Sequence, residues 1–558
     1  MLSLAQRRTE GATQTAQALA ESVAAFTRPL PWLLLIFGTL YAAQLTTFHL
    51  SVDAEIAALR PGGSSTAFAA THAADPRVWS DGPTIWLIQG RWGVYLVERF
   101  LFPEPALPFL PLASFGFFSC LGYLLFLRAH NVARPSLRHY AAFPVFIAFP
   151  TWYFLAEFLA NAPSTGIGLA LSGLVLVAFR RSIQLRRAAG PMFRTPLVIL
   201  FLAQVILAAC IVSLYQSLIT LLAVGGIGVI VSSTLHQRTS VQRVILELVI
   251  FAVTTILGLG LYFVIWKGFL WGFHLKPAYI DKFIDTGTLL ARPKWVLKVS
   301  ISQMMGVYAG NRNVYGSTAW ALGLIAPLGL LALGFTARLR GQLPMRLVVL
   351  LLSGAILLLP FAQNLVSGGQ MPLRTLVSVP IAVWLFLFTG LEAGGIIGSA
   401  TLIVAAVATA QILYTSALFA AADAMAKQED ERLAAAIYTR IIEVRQETSA
   451  GRQQSKVDFF GSQPTLRTPY PRIETIGAPV FEWDGGSPYR IVSFYNVLGY
   501  RKILPVTPQE RQSLLPEFAK MDVWPAKDSV RVVGDVTLVK LGDQPDDIHA
   551  ALMSPARP

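Results

Sequence analysis

The sequence has few cysteines and few charged residues for its length. Only Cys120 and Cys210 occur among 558 residues, and both lie inside apolar runs, so neither a disulfide framework nor a cysteine-based metal site is expected. Charged residues make up 14% of the chain and hydrophobic residues 54%. That balance is too apolar for a large soluble enzyme, so a membrane-embedded core is expected.

Several motifs that would identify a common enzyme or transporter class are also absent. The chain contains no G-x-x-x-x-G-K-[ST] phosphate loop, no H-E-x-x-H zinc motif and no G-x-S-x-G nucleophile motif, which argues against an ATP-driven pump or a conventional serine hydrolase. It shows no repeat of fixed period. It also lacks the matched pair of interrupted apolar segments that an inverted-repeat transporter would offer.

Long apolar stretches fill the chain between Pro31 and Ala420. A spanning helix needs roughly 20 predominantly apolar residues. About eleven stretches approach this length, at 31–50, 106–127, 139–158, 162–179, 195–213, 215–234, 244–265, 318–336, 346–366, 373–391 and 394–420. The sequence therefore predicts an all-α polytopic membrane protein with about 11 transmembrane helices. Residues 1–30 are polar and lack the apolar core of a signal peptide, so they are expected to form a cytoplasmic N-terminal segment.

The net charge of +14 is a topology signal rather than a sign of nucleic-acid binding. Alternate short loops are rich in arginine and contain no Asp or Glu, at 128–138, 180–194, 235–243 and 336–346. By the positive-inside rule these loops and the N-terminus are cytoplasmic. The prediction therefore places outside a multi-pass bacterial cytoplasmic (inner) membrane the loops 51–105 and 266–317 and the C-terminal tail 421–558.

The tail has a different character from the transmembrane domain, 31–420. Residues 423–447 carry Ala, Leu and Ile at helical spacing among charges, which predicts an amphipathic helix leading out of the last span. After a polar linker at 448–456, the β-rich runs 530–533 and 536–541 are joined by Gly534-Asp535, as in a hairpin. These patterns predict a small extracytoplasmic α/β C-terminal module.

The first outer loop begins with two carboxylates, Asp53 and Glu55, directly after the first span. Such a pair can supply a general base with an orienting partner, as sugar transfer requires, and it leaves open a bound divalent cation. The sequence requires no cofactor and contains no other metal motif. The alternative is a solvated loop acid, which is the more common role of a carboxylate in a loop.

Aromatic and basic side chains in both outer loops are candidates for substrate binding. In the first loop these are Asp81, Arg91 and Trp92, because aromatic faces suit sugar rings and a guanidinium suits phosphate. In the second loop, Lys267, His274 and Lys276 lie in an outward-facing basic cluster that calls for an anionic partner such as a lipid phosphate. Anchoring to membrane lipid headgroups is the alternative for both sets.

Polar residues at the ends of several spans share one depth. They are Glu157, Asn161, Tyr215, Gln216, Gln363 and Asn364. Interhelical hydrogen bonding would account for each one singly. Their common depth favours a cavity that opens outward, in which Glu157, Tyr215 and Gln216 would contact a substrate.

Short motifs in a fixed order resemble the bacterial glucosyltransferase family that modifies O-antigen. The motifs are Val52-Asp53-Ala54-Glu55, Gly90-Arg91-Trp92 leading to Leu101-Phe102-Pro103, Tyr215-Gln216-Ser217, Pro372-Leu373-Arg374, and Trp524-Pro525-Ala526-Lys527-Asp528-Ser529-Val530. The resemblance covers most of the chain. It implies a GT-C architecture and a donor of glucose linked to polyprenyl phosphate, used on the periplasmic face. It also makes Asp53 or Glu55 the leading catalytic candidate, although related members often carry an Asp-Asp pair.

The predicted function is therefore a hexosyltransferase that moves a sugar, with glucose expected, from a polyprenyl-phosphate donor to a surface polysaccharide or lipid-linked glycan. In this mechanism an acid takes the acceptor proton while cations, with Arg374 among them, hold the leaving phosphate. The rival predictions are a flippase or transporter of a lipid-linked glycan, a glycan polymerase or ligase, and a membrane scaffold. No nucleic-acid partner is expected.

Overall fold

The computed structural model describes residues 27–47, 84–101, 109–188, 194–236, 239–277, 284–335, 343–447, 455–463, 469–500, 503–546 and 549–550. Most of these residues are helical. The helices up to the middle of the chain are α1 (Leu30–Leu40), α2 (Ala42–Thr46), α3 (Thr84–Ile88), α4 (Trp92–Phe100), α5 (Phe109–Ala129), α6 (Leu137–Ala148), α7 (Pro150–Ala156), α8 (Ala162–Ala188), α9 (Arg194–Leu214), α10 (Leu218–His236) and α11 (Val241–Gly272).

The second half of the helical region has the same character. Its helices are α12 (Thr286–Ala291), α13 (Pro293–Tyr308), α14 (Arg312–Tyr315), α15 (Leu322–Gly334), α16 (Leu343–Leu358), α17 (Ala362–Val366), α18 (Val379–Glu392) and α19 (Gly395–Glu447). Both stretches predicted as long outer loops, 51–105 and 266–317, therefore contain helices in their described parts.

Seven helical segments of the described chain are long and apolar enough to cross a membrane. They are Phe109–Ala129, Ala162–Arg187, Thr195–Leu214, Leu218–His236, Val241–Gly272, Leu343–Val366 and Gly395–Glu447. Three shorter apolar helices, α1, α15 and α18, accompany them. The structure thus agrees with the prediction of a mainly helical polytopic membrane protein.

One predicted span, 139–158, is divided between α6 and α7. Pro150 begins α7, and Phe149 before it has φ −50° and ψ 138°. A proline disfavours the helical conformation of the residue that precedes it, because its ring clashes with that residue's backbone. The chain therefore breaks at this point, and the prediction of a single span here was wrong.

Polar side chains form hydrogen bonds at both ends of the helix bundle. At one end, Arg180 donates to the carbonyl of Ala129 at 2.7 Å, and Arg138 donates to that of Leu391 at 3.0 Å. Both carbonyls lie in the last turns of helices, which lack intrahelical donors. These arginines belong to the loops predicted as cytoplasmic. At the other end lie the polar side chains of Asn161, Gln216 and the residues around them.

Helix α19 is a single element of 53 residues, about 80 Å long, and it joins the transmembrane part to the tail. The sequence predicted a span at 394–420 and an amphipathic helix leading out of it, and in the structure both belong to one continuous helix. One stripe of buried residues, spaced three or four apart, runs along the whole helix. Its first half packs in the transmembrane core through residues such as Phe419, and its second half packs in the tail through Ile437 and Ile441.

The tail contains a four-stranded sheet of order β2-β1-β4-β3. The strands are β1 (Ser455–Phe460), β2 (Ile503–Leu504), β3 (Val530–Val533) and β4 (Val536–Lys540), and the helices are α20 (Pro488–Val497) and α21 (Pro508–Phe518). Strand β1 is parallel to β2 and β4. Strands β3 and β4 are antiparallel, which confirms the hairpin predicted at Gly534-Asp535.

The sheet buries both of its faces. Alternate strand residues point to opposite faces, so Val457 and Phe459 pack with α19 and α20, whereas Phe460 packs with Phe518 of α21. The sheet is therefore a middle layer between two helical layers. This arrangement explains why β4, in the interior of the sheet, is buried at every position.

A buried ionic network crosses the face of the sheet that α21 covers. Arg511 Nε donates to Asp458 Oδ1 at 2.9 Å, and His549 lies 3.3 Å from Asp458 Oδ2 and 2.5 Å from Asp546 Oδ2. All four side chains are fully buried. Burial alone would lower the pKa of His549, but its hydrogen bonds to Asp458 and Asp546 raise it above its usual value. Burial would raise the pKa of Asp458, but the charge of Arg511 and the contact with His549 hold it below its usual value.

These shifts predict that the tail unfolds more readily at alkaline pH. A histidine with a raised folded-state pKa gives its full stabilisation below about 6.5, its usual pKa, and loses it as the pH rises through the folded-state value. Hydrogen–deuterium exchange of peptides from 503–546, corrected for intrinsic exchange, should therefore show protection that falls as the pH rises above about 6.5. The variant His549→Gln should be less protected at low pH and should lose this dependence. Equal pH dependence in both proteins would contradict the assignment.

Candidate active site

The turn that carries Arg91 is built by contacts from two spanning helices. Helix α3 ends at Ile88, and the turn that follows it contains Gly90, whose φ of +77° is readily adopted by glycine. The carbonyl groups at a helix end lack intrahelical donors, and here side chains supply them. Trp266 donates to Leu87 O at 2.6 Å, Gln216 to Gln89 O at 2.7 Å, and Tyr262 to Gly90 O at 2.8 Å.

The Arg91 guanidinium is held by neutral groups. Its Nε donates to Gln216 Oε1 at 3.2 Å, and its Nη1 donates to Asn161 Oδ1 at 3.1 Å. Its central carbon lies 5.0 Å from the ring centre of Tyr215 and 5.8 Å from that of Trp86. Across the described stretches of the chain, no carboxylate forms an ion pair with Arg91. Its positive charge is therefore oriented by amide oxygens and aromatic rings without being neutralised by them.

Arg374 lies on the other side of Tyr215. The Tyr215 hydroxyl donates to the backbone carbonyl of Arg374 at 3.3 Å. The Arg374 guanidinium lies over the ring of Phe158, at 4.9 Å from its centre, and 3.9 Å from Glu474 Oε2. Tyr215 thus contacts the guanidinium of Arg91 through its ring and the backbone of Arg374 through its hydroxyl, at one end of the helix bundle.

Glu474 comes from the segment 469–478, which follows β1 and returns to the transmembrane part. Its carboxylate accepts a hydrogen bond from Leu373 N at 2.6 Å, beside Arg374. Its φ of +50° is unusual for a residue with a side chain and costs on the order of 1 kcal/mol or more. Burial raises the pKa of Glu474, whereas the Leu373 N–H and the Arg374 charge act to lower it. The segment therefore presents a constrained acid to the arginine.

A second acid, Asp423 of α19, connects the same parts of the molecule. Its carboxylate accepts hydrogen bonds from the Tyr153 hydroxyl at 3.3 Å and from Gly477 N at 2.7 Å. The buried carboxyl group of Glu157 lies close to it. Asp423 therefore ties α7, α19 and the segment 469–478 together.

Polar side chains of the helix ends extend this network. Ser217 donates to Gln363 Oε1 at 3.3 Å, and Gln363 donates to Thr375 O at 2.9 Å. Asn364 donates to Gln303 Oε1 at 2.7 Å, and Gln303 donates to Met371 O at 2.7 Å. These bonds fix the turn at 371–375 against the ends of α10 and α13. They position Arg374.

The structure brings together four of the predicted substrate-binding residues, Arg91, Tyr215, Gln216 and Arg374. Glu157 lies beside them, since its neighbour Phe158 contacts Arg374 and Asn161 of the same turn contacts Arg91. The predicted acids Asp53, Glu55 and Asp81 lie outside the described residues.

The other predicted substrate-binding residues lie elsewhere. Trp92 is buried and stacks on Phe269 with ring centres 6.1 Å apart, so it packs α4 on α11 and offers no open face to a sugar. Lys267 is exposed and lies over the ring of Trp266, 5.5 Å from its centre. His274 and Lys276 are exposed beyond the end of α11. Within the described chain, none of these three forms an ion pair or hydrogen bond with Arg91 or Arg374.

Sequence reasoning missed Glu474 and Asp423 as partners of this cluster. Glu474 is 100 residues from Arg374 along the chain, and no local pattern marks it. Asp423 lies at the boundary between an apolar run and a charged run, where carboxylates are common, so its position carries no specific signal. The sequence indicates only the membrane depth of Asn161 and not its contact with Arg91. The described residues contain no group of three or more His, Cys, Asp or Glu side chains suited to a metal ion.

The arrangement can bind an anion and orient a polar substrate. Arg91 supplies a charge with neutral partners, Arg374 a second charge paired with one acid, and Tyr215 a hydroxyl between them. Guanidinium groups match phosphate oxygens through paired N–H donors. The acids around Arg374 keep the cluster from carrying a large uncompensated positive charge.

Comparison with known proteins supplies one match. The family model described as Glucosyl transferase GtrII matches residues 71–389, more than half of the chain. The matched region includes Arg91, Tyr215, Gln216 and Arg374, and it ends before α19 and the tail. No curated protein and no solved structure matches the chain.

Proposed function

Because this chain belongs to the GtrII glucosyl transferase family, we propose that it moves glucose from a polyprenyl-phosphate donor to a surface glycan such as O-antigen. The reaction takes place at the outer face of the bacterial cytoplasmic membrane. One observation carries the proposal: the Arg91 guanidinium lies over the ring of Tyr215, whose hydroxyl donates to the backbone carbonyl of Arg374, so both arginines come from the same end of the helix bundle. This end is opposite the one where the arginines of the predicted cytoplasmic loops lie.

In the proposed reaction an acceptor hydroxyl attacks the anomeric carbon of the donor glucose. The bond from that carbon to the phosphate oxygen breaks, and polyprenyl phosphate leaves with the bonding electron pair. Arg91 and Arg374 stabilise the charge on the leaving phosphate. The hydroxyl proton passes to Asp53 or Glu55, the acids proposed as the catalytic base. A phosphate monoester is a stable anion, so no acid needs to protonate the leaving group.

The segment 469–478 gives the tail a role in this reaction. It supplies Glu474 to the turn that carries Arg374, and the Gly477 N–H to Asp423 of α19. We propose that the transmembrane domain at 31–420 holds the donor, while the extracytoplasmic module at 421–558 fixes the Arg374 turn from outside. On this proposal the family match ends before α19 because the tail supports the donor site without forming its centre.

Transfer by the purified protein tests this function. In nanodiscs supplied with polyprenyl-phosphate glucose and unmodified O-antigen linked to its lipid, we expect labelled glucose to appear in the glycan. A nucleotide-activated glucose should give no product in the same assay. In sealed proteoliposomes, movement of labelled donor across the bilayer without any transfer would instead support a flippase, and lengthening of the glycan by its own repeat units would support a polymerase.

A further inference from the structure

A polar cavity of about 620 Å³ lies beside the arginine cluster. Three parts of the chain line it: residues 312–318 after α13, Tyr414 and Leu418 of α19, and residues 469–473 of the tail. Clefts that bind small ligands commonly enclose about 300–1,000 Å³. We infer that this cavity binds the sugar residues of the acceptor glycan, an inference that rests on the proposed function and assigns its second substrate.

The lining suits a carbohydrate better than a lipid chain. It offers the phenol rings of Tyr414 and Tyr470, the amide of Asn313 and the hydroxyl group of Thr318. Aromatic faces pack against the C–H faces of sugar rings, while amides and hydroxyls bond to sugar hydroxyls. Among the lining residues, only Leu418 and Ile473 carry branched aliphatic side chains, too few to hold an acyl chain.

Two arginines line the cavity, Arg472, which forms an ion pair with Glu482, and Arg312. Arg312 is exposed at the start of α14 and lines the cavity. A guanidinium can donate to two neighbouring hydroxyl groups or to the carboxylate of an acidic sugar. No carboxylate is among the residues that line this cavity. Both a neutral and an acidic glycan can therefore enter without charge repulsion.

The cavity is one residue away from the arginine cluster. Ile473 lines the cavity, and the next residue, Glu474, accepts from Leu373 N and lies beside Arg374. Successive Cα atoms are only about 3.8 Å apart. A glycan in the cavity would thus end next to the turn that holds the donor phosphate. The donor carries its sugar directly on that phosphate, so the elongated acceptor is the substrate that needs a second site.

The wall of the cavity depends on close contact between two distant segments. Gly316 has φ +66°, and a Cβ added there would lie 2.2 Å from Cβ of Pro471. Any larger residue would push the segment 469–478 away from the 312–318 turn. The tail is therefore part of the cavity rather than a separate appendage, and the cavity exists only while the tail is docked.

Variants of two exposed lining residues test the inference. Tyr414 is 62% exposed, so Tyr414→Ala should fold, and Arg312→Gln removes a charge from a surface turn. For the full-length protein in nanodiscs, we expect each to raise the acceptor KM about five- to tenfold, since an aromatic contact or a hydrogen bond to a charged group is worth a free energy of that order. The donor KM should not change. Trp320→Ala is the matched control, because Trp320 is an exposed aromatic near the same helix ends and does not line the cavity.

Direct binding separates this inference from the proposed function. The probe is a fluorescently labelled oligosaccharide released by mild acid from the unmodified surface polysaccharide of the host. Binding that Tyr414→Ala weakens would support the cavity even if the wild type transferred no glucose. Transfer by the wild type with the same acceptor KM in both variants would overturn the cavity while leaving the transferase intact. Failure of the wild type to bind the probe would also overturn it.

Discussion

Replacing Asp53 by Asn, or Glu55 by Gln, is expected to reduce the rate of glucose transfer by about a hundredfold or more in at least one of the two variants. A general base typically accelerates a reaction by at least this factor. Each substitution keeps the size and hydrogen-bonding capacity of the side chain but removes the base. Membrane insertion and donor binding should therefore survive. The measurement is kcat for transfer from polyprenyl-phosphate glucose, with donor binding followed separately.

Asp75→Asn is the matched control, because Asp75 belongs to the same loop and the same chemical class. It should transfer glucose at the wild-type rate. If both Asp53→Asn and Glu55→Gln also match the wild type, the base lies elsewhere, and Asp81 is the next residue to replace, followed by Asp281 and Asp285. Asp285 is the weaker candidate, because Thr288 bonds to its carboxylate through both its hydroxyl and its N–H, and these bonds lower the pKa of Asp285.

Arg91→Ala should lower kcat/KM for the donor roughly tenfold or more, because a hydrogen bond to a charged group is worth about 1.5–3 kcal/mol. Arg91→Lys should recover only part of this loss. A lysine keeps the charge but cannot reproduce the guanidinium fork that now meets Gln216 and Asn161 together. Steady-state kinetics with varied donor at saturating acceptor would measure both effects.

Arg99→Ala provides the control for the loss of positive charge, since Arg99 is exposed in the last turn of α4, on the same short helical hairpin as Arg91. Its donor kinetics should match the wild type. If Arg91→Ala leaves kcat/KM for the donor unchanged, Arg91 does not bind the donor phosphate, and its contacts with Trp86 and Tyr215 serve only to hold the turn in place.

The seven described helices that are long and apolar enough to cross a membrane could be predicted, because a membrane requires a long apolar helix in each span. The break at Phe149 was also readable, since Pro150 stands in the sequence, but the apolar composition on both sides of it hid the signal. The continuity of α19 was harder to see. The composition changes from apolar to charged near Asp423, while the stripe of Ala422, Ala426 and Asp430 keeps the same spacing through that change.

The site was only partly predictable for a different reason. Arg91 and Gln216 are separated by 125 residues, and what joins them is the packing of whole helices, which no local pattern encodes. Their shared depth in the membrane could be estimated from span boundaries, and that estimate selected Tyr215 and Gln216. Glu474 lies in a tail whose path back to the transmembrane part depends on its fold, so its place beside Arg374 had no signal in the sequence.

Because α19 is unbroken, its length sets both the distance of the tail from the helix bundle and the orientation of the tail about the helix axis. Each residue inserted into a helix advances it by about 1.5 Å and turns it by about 100°, so one extra residue between Ala422 and Ala434 would swing the sheet to another side of the bundle. Seven extra residues would nearly restore the angle, to within about 20°, but would lift the sheet by about 10 Å. The segment 469–478 forms a second connection, because Glu474 accepts a hydrogen bond from Leu373 N of the transmembrane part. The tail is thus connected to the transmembrane part at two places, through α19 and through this segment. A change in the length of one connection would require a matching change in the other.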